Sequence, residues 1–325
     1  MSDLEFISTA KGLFPMKTIS VLIPCFNETD NVIPMSEAVV QQFKENLPQY
    51  DYELIFIDNF STDGTREKLE QICAKNKKIK AILNAKNFGQ FNSPFYGLCQ
   101  TTGDCTVTIC CDFQDPVDLI PRLVHEWEKG YKIVSAIKTE SEENKLVRFL
   151  RTCYYKMIKK MSQVEQIEHF TGTGLYDKSF IDVLRNLHDP TPFMRGIVAE
   201  LGPLRKDIPY KQKKRRAGRT HNNWYSLYDA AMLSFTSYTK VGLRMATVMG
   251  FILGVISFLV AMFYLVAKLI WWDKFPLGTA PILIGIFFFG SVQLIFIGLL
   301  GEYVMSINTR VMNRPLVVEE KRINF

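Results

Sequence analysis

Two long apolar runs near the carboxyl end constrain this chain more than any other feature. Residues 245–267, MATVMGFILGVISFLVAMFYLVA, and residues 275–301, FPLGTAPILIGIFFFGSVQLIFIGLLG, contain no charged side chain. About 20 apolar residues span a bilayer as a helix, and the connecting WWDK turn is short, so both runs are predicted as transmembrane helices. A buried helical hairpin of a soluble protein is the alternative, and two such runs in succession speak against it. Lys240 and Arg244 precede the first run and Arg310, Arg314, Lys321 and Arg322 follow the second, whereas the turn offers only Lys268 and Lys274. That asymmetry places both flanks on the cytoplasmic side, with Trp271 and Trp272 as aromatic anchors at the far interface. Glu5 and Lys11 interrupt the mildly apolar stretch before Met16, so no signal peptide is expected.

Upstream the pattern changes. ISVLIP (19–24), YELIFID (52–58), IKAILN (79–84), CTVTICCD (105–112) and YKIVSAI (131–137) are short, near-continuous apolar runs, the pattern of strands buried on both faces. Helix-length segments alternate with them, among them NVIPMSEAVVQQFKENL, TREKLEQICAKN and LIPRLVHEWEKG. The predicted fold class is α/β, a mostly parallel sheet with helices on both faces. Seven cysteines occur with no CxxC pair, so reduced thiols are expected, with neither a disulfide framework nor a zinc site. Cys110 and Cys111 should point to opposite faces of the fourth strand.

In such sheets ligands bind outside the carboxyl ends of the strands. Cys25, Phe26, Asn27 and Glu28 follow the first strand; Asp58, Asn59, Ser61, Thr62 and Asp63 lie at the end of the second; Asp112, Gln114 and Asp115 close the fourth. Asp63 reads as a helix cap; Glu28 and Asp112 have the same plain alternative, as a first-turn residue and as a cap before Pro116. Acids and amides at all of these ends point to a site for hydroxyls or a cation. Neither GxGxxG nor a P-loop lysine motif follows the first strand, which excludes a dinucleotide oxidoreductase and a P-loop ATPase. A nucleotide can still bind through carboxylates, with its phosphates on a hard cation such as Mg2+ or Mn2+.

PCFNE (24–28), IDNFSTDGT (57–65), NFGQ (87–90) and CCDFQDP (110–116) resemble, in the same order, the PxYNE, VDDGSTDGT, NxGK and DADLQDP motifs of glycosyltransferase family 2. With two carboxyl-terminal spans, the chain resembles that family's polyprenyl-phosphate glycosyltransferases. The resemblance implies a GT-A fold, a UDP- or GDP-sugar donor, a divalent metal (Mg2+ or Mn2+), inversion at the sugar carbon and polyprenyl phosphate as acceptor. It further implies a bacterial cytoplasmic membrane protein with its catalytic domain inside and no nucleic-acid partner. Carried over by residue, Pro24, Phe26 and Glu28 shape the nucleoside pocket, Asp58 contacts base or ribose, Gln90 belongs to the donor site, and Asp112 and Gln114 face metal and diphosphate. The implied division is an extension (1–16), a GT-A catalytic domain (17–203), a basic segment with an amphipathic interfacial helix (204–243), two transmembrane helices (244–304) and a cytoplasmic tail (305–325).

Four departures from the motifs matter. Asn59 and Phe60 replace an acid and a glycine, Cys110 replaces the first acid of the metal motif, Gln90 replaces a lysine, and in FTGTGLYDK (170–178) Gly172 falls on an acid. A hydroxyl acceptor needs a general base, for which Asp177 is the nearby candidate, whereas a lipid phosphate is already anionic and needs none. Transfer to a hydroxyl of a lipid-linked glycan and a non-catalytic membrane scaffold are the other readings. LRKDIPYKQKKRRAGRTHNNW (204–224) is strongly basic. It suits an anionic bilayer, and Arg215 suits a phosphate, with a catalytic role implied by the family's RxxRxxGxTKY stretch. Arg148 and Arg151, in the basic helix predicted over 145–162, are the further candidates for the acceptor phosphate. Residues 224–238 repeat apolar side chains at helical spacing, as an interfacial helix would. Gly250 and Gly254 form a GxxxG pattern compatible with a homo-oligomer.

Overall fold

The computed structural model describes residues 16–140, 167, 169–202, 204–213, 215–217, 228, 232–233, 235–236, 241–270, 279–312 and 314–325. The chain divides into two compact units, one made of Met1–Arg151, Gln166–Asn222 and Asn313–Phe325, the other of Thr152–Glu165 and Asn223–Met312.

The first unit is built on β1 (Thr18–Cys25), β2 (Asp51–Asp58), β3 (Ile79–Asn84), β4 (Cys105–Thr108), β5 (Ile133–Glu140), β6 (Phe170–Asp177), β7 (Arg205–Lys211) and β8 (Glu319–Ile323). They form a single sheet in the order β7-β5-β6-β4-β1-β2-β3-β8. The central four strands pair in parallel, β5 pairs with β7 in parallel, and β6 and β8 run antiparallel to their neighbours. Side chains alternate between two apolar layers. Ile19, Val21, Ile23, Leu54 and Phe56 meet the helices Val32–Asn46, Thr65–Lys75 and Leu119–Glu128 on one face. Leu22, Ile55 and Ile57 meet Gly89–Cys99, Lys178–Asn186 and Met194–Leu201 on the other. Burial on both faces is why these strands read as continuous apolar runs. The expected α/β class, in its GT-A-like form, is what the chain adopts.

Chain order reverses at β1. The path runs outward through β2 and β3, then crosses back to place β4 on the other side of β1. Such a switch point opens a crevice beyond the carboxyl ends of the two strands.

Two details differ from the sequence reading. β4 stops at Thr108 instead of running to Asp112. Ile109 N–H still bonds the Leu22 carbonyl, but the chain then turns, with Phe113 at φ 60°. Cys110 is exposed and Cys111 buried, but neither lies in a strand, so they do not take opposite faces of one; six described cysteines are free thiols. The tail, moreover, carries β8, which covers the outer edge of β3.

In the second unit the described helices are Val241–Ile270 and Thr279–Val311. Among the described residues, Phe288–Val311 is long and apolar enough to cross a membrane, by length and composition. Gly250 and Gly254 line an apolar cavity of about 590 Å3 together with Phe289, Gln293 and Phe296, so the small-residue face looks toward the second helix of the same unit. The helix predicted over 145–162 lies outside the described residues, as does most of 224–238.

Candidate active site

Three loops converge beyond the carboxyl ends of β1, β2 and β4, and each contains a non-glycine residue in the left-handed region: Asn27 (φ 55°), Phe60 (φ 71°) and Phe113 (φ 60°). Such conformations cost roughly 1–2 kcal/mol each and gather where a site fixes the backbone. The first two loops are laced together. Asn27 N–H donates to Ser61 Oγ (2.8 Å), Thr62 N–H to Asn27 Oδ1 (2.9 Å), Glu28 N–H to Thr65 Oγ1 (3.0 Å) and Thr29 N–H to Asp63 Oδ2 (3.1 Å). Asp63 therefore ties two loops together as well as accepting from Thr65 N–H in the first helical turn.

Asp58 ends β2 with 0 % exposure. Its Oδ2 accepts from Phe60 N–H (3.2 Å), Ser61 N–H (3.1 Å) and Arg66 Nε (2.8 Å). Its Oδ1 is buried with no hydrogen-bond partner. A buried carboxylate oxygen without a donor is costly.

Glu28 and Asp112, which end the loops after β1 and β4, are both buried, and one guanidinium bridges them. Arg215 Nη2 lies 3.0 Å from Asp112 Oδ2 and its Nη1 lies 3.4 Å from Glu28 Oε1. Backbone bonds hold the basic segment over this turn: Lys213 N–H donates to the Gln114 carbonyl (3.0 Å) and Arg216 N–H to that of Asp112 (3.2 Å). Arg216 also stacks on Phe113, 5.2 Å from the ring centre. Asn31 Nδ2, one turn beyond Glu28, donates to Glu28 Oε2 (2.6 Å). Burial pushes the pKa of Glu28 up against the pull of Asn31 and Arg215. Burial likewise raises Asp112, outweighing the Gln114 N–H and Arg215. Both acids are thus held as reluctant anions.

The remaining candidates fall around this corner or outside it. Pro24 and Phe26 are half-buried at the end of β1, and Gln114 is half-buried in the Asp112 turn. Gln90 is exposed in the first turn of the helix Gly89–Cys99. Arg148 and Arg151 lie outside the described residues. Asn59 is committed to structure. Its amide donates to Asn87 Oδ1 and the Gly89 carbonyl, and its Oδ1 accepts from Phe88 N–H and Asn84 Nδ2, which holds the loop that leads into the helix of Gln90. A carboxylate there could not make the two donations.

Two acids take other places than their sequence positions suggested. Asp115 is an interstrand tie: it accepts from Tyr210 Oη (2.6 Å) of β7, Thr173 Oγ1 (2.8 Å) of β6 and Cys110 N–H (3.2 Å). Asp177 pairs with Cys105 at the start of β4, the opposite end from Asp112. There it caps a helix through Ser179 N–H (3.0 Å) and accepts from Trp127 Nε1 (2.8 Å) and Lys132 Nζ (3.1 Å). It cannot serve as a base beside Asp112. Gly172 has φ 98° and open space at its Cβ position, where the related motif carries an acid.

Arg66 and Asn31 were missed by motif reading. Arg66 follows STDGT at once and touches Asp58; Asn31 is three residues from Glu28, across the turn that precedes the helix Val32–Asn46, the one local signal available.

Oxygen donors of the kind hard cations prefer, the Asp112 carboxylate and the Gln114 amide, share this turn, and the Cys110 thiol adds no hard ligand. Among the described residues no group of three His, Cys, Asp or Glu is placed to hold a metal ion.

Residues 20–188 match the family described as Glycosyl transferase family 2. A bactoprenol glucosyl transferase of Shigella phage SfX is 30% identical over 305 residues, covering 94% of this chain and 99% of that protein. The SfII prophage-derived bactoprenol glucosyl transferase of Shigella flexneri is 31% identical over 304 residues, 93% of this chain and 97% of its own. A prophage bactoprenol glucosyl transferase homolog of Escherichia coli K12 is 28% identical, with 91% and 96% covered.

Proposed function

The chain belongs to glycosyl transferase family 2, and from that membership we propose that it moves a sugar from a nucleotide-diphosphate sugar to polyprenyl phosphate, with inversion at the sugar carbon. The names of its relatives along nearly their whole length support the acceptor. The observation that carries the reading is the Arg215 bridge between Glu28 and Asp112 at the switch point. It joins the loops after β1 and β4 to the basic segment at the place where a nucleotide diphosphate fits the fold.

In this reading the loop anchored by Asp58 meets the nucleoside, with Pro24, Phe26 and Gln90 around it. Arg215 offers its planar fork to phosphate oxygens. Asp112 and Gln114 would hold a Mg2+ or Mn2+ ion, which when bound would neutralise charge on the departing diphosphate. The acceptor oxygen is anionic near neutral pH, so the enzyme positions it and stabilises the leaving group rather than removing a proton. That fits a site in which Gly172 leaves open space and Asp177 is engaged elsewhere. Arg148 and Arg151 are proposed for the acceptor phosphate.

We place the protein in a bacterial cytoplasmic membrane. Exposed Phe251, Leu269, Leu294 and Ile295 on the long helices suit lipid contact. The segment 223–312 begins and ends at the same α/β unit, which supports two crossings, one for each apolar run, over a single one.

The test is direct. Purified full-length protein is given undecaprenyl phosphate, a panel of UDP- and GDP-sugars and Mn2+ or Mg2+. Glycolipid from at least one donor is expected; no product from any donor, despite nucleotide binding, would contradict this acceptor.

A further inference from the structure

The carboxyl-terminal strand reaches the donor side of the site. Along β8, Lys321 is in register with Leu83 and Glu319 with Asn84, so Glu320 is the extra residue where the pairing shifts. A bulge breaks the in-out alternation and re-aims a side chain. Glu320 is re-aimed at Arg66: its Oε2 lies 2.7 Å from Arg66 Nη1. The same guanidinium holds Asp58 Oδ2 through Nε and donates through Nη2 to the Asn84 carbonyl, at the residue where the register shifts. Its plane lies over the Phe60 ring, 5.0 Å from the centre. Arg66 is 18% exposed at its side chain and Asp58 wholly buried.

This arrangement explains an otherwise unfavourable feature. Phe60 N–H, Ser61 N–H and Arg66 Nε all converge on Oδ2, while Oδ1 has no partner. A carboxylate free to rotate would share its donors between both oxygens. A planar guanidinium held by Asn84, Glu320 and Phe60 keeps its Nε on one of them. We infer that Glu320 is a positioning residue for the donor site, acting through Arg66 to hold the Asp58 carboxylate and, through it, the Phe60–Ser61 loop that walls the site. The inference rests on the nucleotide-sugar reading for the identity of the ligand, while the link from Glu320 to Asp58 stands on geometry alone.

The tail has anchors independent of Glu320. Asn324 Nδ2 donates to the Cys73 and Ile79 carbonyls, both at 2.7 Å, and Lys321 pairs with Glu70 at 2.7 Å. Glu320→Gln therefore leaves β8 docked, and Lys321→Gln on the same strand is the control for a merely structural role.

The experiment compares full-length wild type with both variants. Hydrogen exchange is followed over residues 58–62, and UDP and GDP are titrated in the presence of Mn2+. In Glu320→Gln the Phe60 and Ser61 amides should exchange faster. The dissociation constant of the preferred nucleotide should rise about two- to fivefold, the range of a partly exposed ion pair, with donor KM following and kcat and acceptor KM unchanged. Lys321→Gln should move none of these. Wild-type exchange in Glu320→Gln, or equal effects from both variants, would overturn the inference. Failure of the wild type to bind either nucleotide would count against the proposed donor, and the exchange result would still decide the link to Asp58.

Discussion

Glu53 and Asp112 are equally buried, each 4% exposed, yet they sit at opposite ends of the sheet and burial leads to opposite outcomes. At the amino end Glu53 accepts from Ser20 Oγ (2.5 Å), Thr102 N–H (2.6 Å), Thr102 Oγ1 (2.9 Å) and Lys80 Nζ (2.6 Å). Burial opposes its charge, but these partners win and its pKa is lowered. At the carboxyl end Asp112 has the Gln114 N–H and a shared arginine, burial wins, and its pKa is raised. The number of donors, not depth, decides which acid is a fixture of the fold and which is left wanting a cation or a phosphate-bound partner.

The largest expected break in this contrast comes from Asp112→Ala. Loss of the carboxylate should lower turnover on the order of 100-fold, measured as glycolipid formed, while the thermal midpoint stays near that of wild type. Glu53→Gln should do the reverse. Removing one side of a buried, hydrogen-bonded ion pair costs about 3 kcal/mol, read as a lower thermal midpoint, with nucleotide affinity retained in protein that remains folded.

The pH dependence separates the same two classes. Glu28 and Asp112 have raised folded values, so the stability they contribute is present at low pH and is lost as pH rises from the ordinary carboxylate range through those values. Glu53 and Asp177 are lowered, so theirs is present above the ordinary range and lost as pH falls through the folded values. Thermal midpoints across this range should therefore show a smaller first limb in Asp112→Asn, where Glu28 remains, and a smaller second limb in Glu53→Gln, where Asp177 remains. The smallest effect is expected from Phe60→Gly. Relieving a left-handed phenylalanine should stabilise by about 1 kcal/mol, offset in part by the lost stacking on Arg66, again read from the thermal midpoint.

The central strands and the helices between them were legible because residues buried on two faces must be apolar throughout. The positions of Glu28, Asp58 and Asp112 followed from the strand-end rule. β7 and β8 were not legible, since RKDIPYK buries only Ile208 and Tyr210 and EEKRI is a charged edge strand. The Arg215 bridge joins residues 187 apart to Glu28, a pairing that no local pattern encodes, and Glu320 reaches Arg66 only because β8 is bulged. Nor does the sequence tell that Asn59, a departure from the related motif, ties a loop: its amide donates to Asn87 and Gly89.

The most direct test of the contrast between the two ends is a titration of Mn2+ with UDP and GDP into wild type, Asp112→Asn and Glu53→Gln at one pH, with the thermal midpoint recorded for each. Asp112→Asn should lose the Mn2+-dependent part of nucleotide affinity and keep or raise its midpoint, while Glu53→Gln keeps the affinity and loses the midpoint. Wild-type Mn2+-dependent binding in Asp112→Asn would contradict the assignment of the carboxyl-end acids to the diphosphate site.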